Sequence, residues 1–390
     1  MQKLPARLMV ALAFFAAAGP LAIDMYLPGL PSLQQDLGTS PASAQLTISG
    51  FMIGMAVGNL VFGPISDATG RRAPIVAAAA VFFASSVMCA LAPGIELLIA
   101  ARVIQGAAGG CAVVVSRAVV PALLNGTAAA RAFSALLALT GFMPAIAPAL
   151  GSLFLPLLGW RGIFWFLAAV NVVQLLLALR LPETLPPERR TPGVLRTLLP
   201  RIARCFTRPA YVGYMAAGAI GFGALFAYIS ASPLVLQTQL GFSPHAFALT
   251  FGGIALLLPA SNALNMRLVK RIPPRTLLIR ALLIDALVAA TLLILALTGP
   301  SAPLLIPLFA ALAAMSGFIT ANASALAVEE IRDIGAGAGT GAMGFVQFIV
   351  AAVVAPAAGL GTNHALAMAL ASLVCAGLAL ALVATLTRRP

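Results

Sequence analysis

The sequence predicts an all-α membrane protein of twelve transmembrane helices in two six-helix halves. Three observations carry this. First, the 390 residues are 61% apolar and only 8% charged, against about 45–50% and about 25% in a soluble domain. A soluble fold of this size has too few polar side chains here to cover its surface, and the mean hydropathy is +1.05. Second, apolar runs long enough to cross a bilayer recur along the whole chain. A crossing helix takes about 20 residues, so twelve use roughly 240 and leave no room for a soluble domain. Third, the positive charges fall on alternate connections.

Runs bounded by charge, Pro or Gly divide the chain into candidate spans. The first half holds 8–29, 45–65, 74–92, 95–119, 131–156 and 162–181. The opening segment imitates a secretory signal, with Lys3 and Arg7 before an apolar stretch and Ala16-Ala17-Ala18. It is expected to be retained as helix 1, because the apolar run continues through Leu21-Ala22-Ile23 and later spans need a partner. The second half holds 209–232, 245–267, 275–298, 302–327, 337–360 and 364–387.

Between the halves lies the one long polar interruption. Residues 1–181 are read as the N-terminal half, 182–208 as a cytoplasmic linker and 209–390 as the C-terminal half. Arg189, Arg190, Arg196, Arg201, Arg204 and Arg208 crowd the linker, whose charge run reads as a solvated, headgroup-facing segment. With the N-terminus inside, Arg71, Arg72, Arg131, Arg267, Lys270, Arg271, Arg275 and Arg332 also fall on the cytoplasmic side. The outer connections hold Asp36, Glu96, His245, His364 and Arg161. That asymmetry follows the positive-inside rule and puts both termini in the cytoplasm. The formal charge of +13 is therefore topogenic, and nucleic acid is not an expected partner. Two repeated halves joined by a linker suit a carrier whose site lies between them at mid-membrane.

Several chemistries are excluded by what is missing. There is no GxxxxGK[ST] phosphate loop, and Lys3 and Lys270 are the only lysines. No HExxH or GxSxG occurs, and the two histidines fall at outer loops, so neither a metal centre nor a nucleophile with its base is expected. Cys89, Cys111, Cys205 and Cys375 make no CxxC spacing and read as buried small apolar residues. No cofactor, metal or enzymatic activity is expected. Uphill movement would draw on an ion gradient through an intramembrane charge.

Ionisable residues inside spans are functional candidates, since burial in lipid is costly. Asp24 on helix 1 lies about 24 Å from the inner end and Arg102 on helix 4 about 10 Å from the outer end, at 1.5 Å per residue. Their depths overlap, so they would face one another or share a water-filled cavity. Desolvation favours the neutral carboxyl and a nearby guanidinium the charged one; such a site is poised to exchange a proton with a drug. A static ion pair that fixes packing is the other reading. Asp67, Arg71, Arg117 and Glu183 lie at inner helix ends and suggest a salt-bridge cluster. Asp285, midway along helix 9, is expected to face the bundle interior. Helix 5 carries Gly141, Pro144, Pro148 and Gly151, a Pro–Gly pattern that kinks a helix and lets it pack closely. Tyr26, Gln105, Phe142, Phe226, Tyr228, Asn322, Phe345, Gln347 and Phe348 supply aromatics and amides for a pocket taking flat, moderately apolar compounds, or else ordinary packing.

At these positions the sequence resembles a known family. Gly63-Pro64-Ile65-Ser66-Asp67-Ala68-Thr69-Gly70-Arg71-Arg72 resembles the loop 2–3 signature of the major facilitator superfamily, and Arg102-Val103-Ile104-Gln105-Gly106 its helix 4 signature. Asp24-Met25-Tyr26-Leu27-Pro28, Leu181-Pro182-Glu183-Thr184-Leu185 and Gly159-Trp160-Arg161 are similar to the bicyclomycin and chloramphenicol resistance (Bcr/CflA) branch, near phenicol exporters. The resemblance implies the major facilitator fold and export of phenicol-type or other amphiphilic antibiotics in exchange for protons. It further implies that Asp24 alternates between proton and drug, with Arg102 tuning it. Gly63, Asp67, Gly70, Arg71, Arg72, Arg117 and Glu183 would form the cytoplasmic gate, and the helix 5 run the antiporter signature. That run departs from the usual GP and GG, having Ala147 before Pro148 and Ser152 after Gly151. Where some relatives have a second helix 1 acid, this chain has Ala16. The expected partners are a small-molecule drug, protons and the lipid bilayer, with the chain a monomer in the bacterial cytoplasmic membrane. A proton-coupled exporter of amino acids or sugars is the alternative on this scaffold; a membrane receptor or scaffold without transport is a third reading.

Overall fold

The structure is a computed structural model; it describes residues 6–124, 126–191, 193–334 and 336–387. Helix dominates throughout. The first crossing is built from α1 (Ala6–Ala16), α2 (Ala18–Asp24) and α3 (Leu30–Asp36). It bends by 41° between Ala16 and Ala18, where Pro20 has no N–H for the Ala16 carbonyl and its ring crowds it. A single 3₁₀ turn, Leu27–Gly29, carries Pro28 before α3. The crossing thus runs on to Asp36, beyond the expected end at 29.

Next come α4 (Pro41–Thr69), α5 (Arg72–Ala90) and α6 (Ile95–Leu123). The Ser40 side chain accepts from the Ser43 N–H and starts α4, satisfying one of its free donors. Glycines let α4 and α6 touch backbone to backbone. A Cβ on Gly106 would land on the Phe51 carbonyl oxygen, and one on Gly54 on that of Val103. Small residues at such crossings replace the hydrophobic drive that is absent between helices in lipid.

Helices α7 (Gly126–Gly141) and α8 (Met143–Leu179) follow, separated at Phe142. The apolar run Ser134–Leu179 is 46 residues long, more than twice the length one crossing needs. It crosses twice, reversing at Gly159, whose φ of 64° no L side chain adopts easily. Leu136 packs with Leu12 at one end of the bundle. Trp160 bonds Asp36 at the other end, and the Leu179 carbonyl accepts from Arg72 back at the first.

After the short amphipathic α9 (Val194–Phe206) come α10 (Pro209–Pro233, extended as a π-helix over Leu234–Gln239), α11 (Pro244–Ala255) and α12 (Leu257–Leu268). The last two form one crossing, broken at Leu256 because Pro259 cannot bond to Ala255. Then follow α13 (Pro274–Thr298), α14 (Ala302–Glu329), α15 (Ala336–Ala357) and α16 (His364–Leu386). Among the described residues, ten helices are long and apolar enough to cross a membrane, eleven with the bent first pair. With Ser134–Leu179 traversing twice, the described residues make twelve crossings.

One apolar core runs through the bundle, joining Tyr26, Phe51 and Phe164 with Phe226, Tyr228 and Phe309. All four cysteines are free and buried. The two ends of the bundle differ. The end carrying α9 is termed the linker end here, and the end with Asp36 and Trp160 the far end.

Candidate functional site

Arg102 is the largest fully buried side chain, and its surroundings are backbone and aromatic. One terminal nitrogen donates to the Ala22 carbonyl at 3.1 Å and to Gln105 Oε1 at 2.6 Å; Nε reaches the Thr47 carbonyl at 3.4 Å. The guanidinium carbon sits 4.4 Å from the ring centre of Phe51, 5.2 Å from Tyr26 and 5.7 Å from Phe164, where ring quadrupoles attract a cation. Nη2 has no partner. Gln105 passes the chain of bonds on, donating to Ser86 Oγ at 2.8 Å, which also receives the Asn171 amide at 2.8 Å. Tyr26 closes the set with a 2.9 Å bond to Thr47 Oγ1. Arg102, Gln105 and Tyr26 therefore tie α2, α4, α5, α6 and α8 together.

Asp24 is not part of this network. It is 6% exposed, and among the described residues no cation lies within ion-pair range of it, so the expected contact with Arg102 is not made. The helix explains why. Two positions turn a helix by about 200°, so Asp24 leaves α2 on the side away from the face bearing Ala22 and Tyr26. That inner face abuts α4 and α6, where a Cβ on Gly19 would touch Met55 and Val113. Next along the chain, the Met25 carbonyl lies where a Cβ on Gly151 of α8 would sit. Asp24 thus points away from the side of α2 that Arg102 meets.

At the linker end, Glu183 is the hub. Its carboxylate accepts from the backbone N–H of Arg71 at 3.0 Å, Arg72 at 3.3 Å, Thr184 at 2.8 Å and Leu185 at 2.9 Å. Burial pushes this carboxyl up, but the four donors outweigh it and hold it below the ordinary glutamate range. Gly70 makes the approach possible: its φ is 99°, and a Cβ would strike the Glu183 carboxylate. Arg72 also donates to the Leu179 carbonyl, and the Asp67 carbonyl accepts from Thr191. Arg71 pairs with Asp67 at 3.7 Å and Arg190 with Glu183 at 3.9 Å. Arg117 stands apart and corrects the expectation of a four-residue cluster. It makes no ion pair among the described residues and instead lines a cavity of about 530 Å³ with Gly63 and Asp67, residues of α15, and Arg201 of α9.

At the far end, side chains fasten the helices before the linker to those after it. Gln45 Nε2 donates to the Ser230 carbonyl at 3.0 Å, Gln237 Nε2 to that of Pro28 at 3.3 Å, and Ser152 meets His245 at 3.5 Å. Asp36 holds Trp160 and Arg161 there, and these donors keep its carboxyl low.

The remaining candidates disperse. Tyr228 stacks on Phe251 at 5.7 Å and meets the tilted ring of Phe309 at 4.9 Å, its hydroxyl unpartnered. Phe226 lies 5.8 Å from Phe222. Asn322 is spent on Asn265 at 2.8 Å, joining α14 to α12. Phe345, Gln347 and Phe348 are half-buried on α15, whereas Phe142 is 48% exposed. Gly141 has open space around it just before the break at Phe142, and Pro144 and Pro148 follow it in α8. Asp285 is 1% exposed on the inward face of α13, as expected. Ser86, Asn171, Gln45 and Arg201 were missed as candidates. A polar residue inside an apolar run was the available signal for the first three.

The pattern of the Major Facilitator Superfamily matches residues 10–356 of this sequence. The chain belongs to this superfamily. It is 34% identical over 369 residues to the "Uncharacterized MFS-type transporter YdgK" of Bacillus subtilis (strain 168), covering 92% of this chain and 91% of that one. It is 30% identical over 263 residues to "Multidrug resistance protein MdtL" of Salmonella heidelberg (strain SL476), covering 67% of this chain and 66% of that one. The fold is shared with a solved bacterial homologue of the human lysosomal transporter Spinster, at TM-score 0.75, 14% identity, and 99% and 96% coverage. The xylose transporter XylE from E. coli matches at TM-score 0.73, 15% identity, and 98% coverage of each chain. The protein is a multi-pass membrane transporter.

Proposed function

We propose that this transporter exports amphiphilic antibiotics, phenicol-type compounds among them, in exchange for protons. The observation that carries the reading is Asp24: buried, without a partner among the described residues, and turned away from Arg102. A buried unpaired carboxylate is costly, and a proton removes that cost as well as a cationic or hydrogen-bonding ligand would. Proton and drug then compete for one group, which is the requirement for exchange. Likeness to a multidrug resistance protein over two thirds of the chain supports the substrate class.

In this reading residues 1–181 and 209–390 are two six-helix halves, joined by 182–208, which rock about the site between them. The linker end is cytoplasmic, as the arginine distribution requires, in the bacterial cytoplasmic membrane. The far end is then closed by Gln45, Gln237 and Ser152, and the cavity beside Arg117 lies on the cytoplasmic side. Arg102 holds the bend of helix 1 rigid through the Ala22 carbonyl, fixing where Asp24 points. Glu183 ties the linker to the loop bearing Asp67 and Arg71. The break at Phe142, with Gly141, Pro144 and Pro148, is the flexible point of helix 5.

The test uses sealed inside-out vesicles loaded with a pH gradient and a panel including chloramphenicol, florfenicol and bicyclomycin. At least one compound is expected to collapse the gradient with wild type and not with Asp24→Asn. Uphill export unchanged in Asp24→Asn would refute the mechanism. Counterflow of an amino acid or sugar, with no drug response, would refute the substrate class.

A further inference from the structure

We propose that the cavity at the linker end is a binding site for the negatively charged head of an amphiphile, a carboxylate or a phosphate. Its volume of about 530 Å³ is within the range of drug-sized pockets. Arg117 of α6 and Arg201 of α9 both line it, and neither makes a hydrogen bond or ion pair among the described residues. Arg117 lies six residues inside the end of a 29-residue membrane helix, and its side chain is exposed to the cavity. The cavity's only carboxylate among its described lining residues, Asp67, is engaged by Arg71 at 3.7 Å. Two planar donor forks thus stand free, and that geometry matches carboxylate and phosphate oxygens.

The rest of the wall suits the body of such a molecule. Helix α15 contributes Gly337 and Gly341, which leave room, and α9 contributes Leu198 on the same side as Arg201. Arg201 is brought to the site only because α9 packs against α4 and α15 across the cavity. The linker helix is thereby part of the site. The inference rests on the exporter reading only in treating this cavity as a place where acidic amphiphiles among its substrates are first held.

Equilibrium dialysis of the full chain in phosphatidylcholine nanodiscs tests it, with 2-naphthoate against its neutral isostere 2-naphthamide and empty nanodiscs subtracted. Naphthoate is expected to bind at least tenfold more tightly. Arg117→Gln and Arg201→Gln are each expected to remove most of that preference, and Arg204→Gln elsewhere on α9 to leave it intact. Arg201→Gln lies on a surface helix and keeps the bundle folded, so its result stands if Arg117→Gln is unstable. Repeating the measurement with phosphatidylglycerol present separates the two sources of the anion. A preference lost only there means a lipid phosphate fills the site, and one retained means a soluble anion does; both support the proposal. Equal binding of acid and amide, or a preference surviving in Arg201→Gln, overturns it. Binding is read without transport, so failure of drug–proton exchange and failure of this site are distinguishable.

Discussion

Replacing Arg102 by Met separates a structural role for this arginine from direct pairing with Asp24. The change keeps an unbranched, apolar stem and deletes the donors to the Ala22 carbonyl and to Gln105 Oε1; the 3.4 Å bond to Thr47 is too long to count for much. Hydrogen bonds from a charged donor contribute about 1.5–3 kcal/mol each, so the two lost amount to about 3–6 kcal/mol. Removing a desolvated guanidinium, with Nη2 already unpartnered, returns part of this. A net loss of about 2–4 kcal/mol remains, or about 2–8 °C in melting temperature for a chain this long. The four buried free thiols supply the assay. A thiol-reactive fluorophore reports their exposure on heating. Adding Gln105→Leu to Arg102→Met should cost less than the sum of the two, because they share a bond. Adding Asp24→Asn should be additive, because no ion pair joins the two. A melt within 1 °C of wild type, or strong non-additivity with Asp24→Asn, would refute this account.

Other expectations follow from the same geometry. Gly106→Ala places a methyl on the Phe51 carbonyl and forces α4 from α6; overpacking of this kind costs about 1–3 kcal/mol, read in the same melt. Gly141→Ala meets open space and gains up to about 1 kcal/mol of helix propensity, so the protein should melt no lower while export slows several-fold if helix 5 flexes there. Glu183 is held below its ordinary range by four backbone donors, so the stability it contributes is present above that range and lost as pH falls through its folded value. Melting curves of wild type and Glu183→Gln should therefore differ at neutral pH, draw together as pH falls below the ordinary glutamate value of about 4.3, and converge only below the depressed folded value. Gln45→Leu removes the bond to the Ser230 carbonyl and should shift spin-label distances across the far end toward an open state.

Composition and periodicity were enough for the helices and the crossings, and the resemblance of short motifs pointed to the superfamily, because each depends on short-range pattern. An apolar run of about 20 residues must span, a proline must break a ladder of bonds four residues back, and arginines must lie on one side. The pairing of Glu183 with the loop at Gly70–Arg72 was also legible, since both motifs stood out in the chain. Depth alone, however, suggested that Asp24 and Arg102 meet or share one cavity. Only the rotation of α2, set by glycine contacts with α4, α6 and α8, directs Asp24 away and gives Arg102 backbone carbonyls and aromatic rings instead. Tertiary packing likewise separated Arg117 from Asp67 and Arg71, spent Asn322 on Asn265, and carried Arg201 from a linker to a cavity wall. A sequence states how far along a helix a side chain lies. Which way it faces, and what it meets there, depends on neighbours tens to more than a hundred residues away.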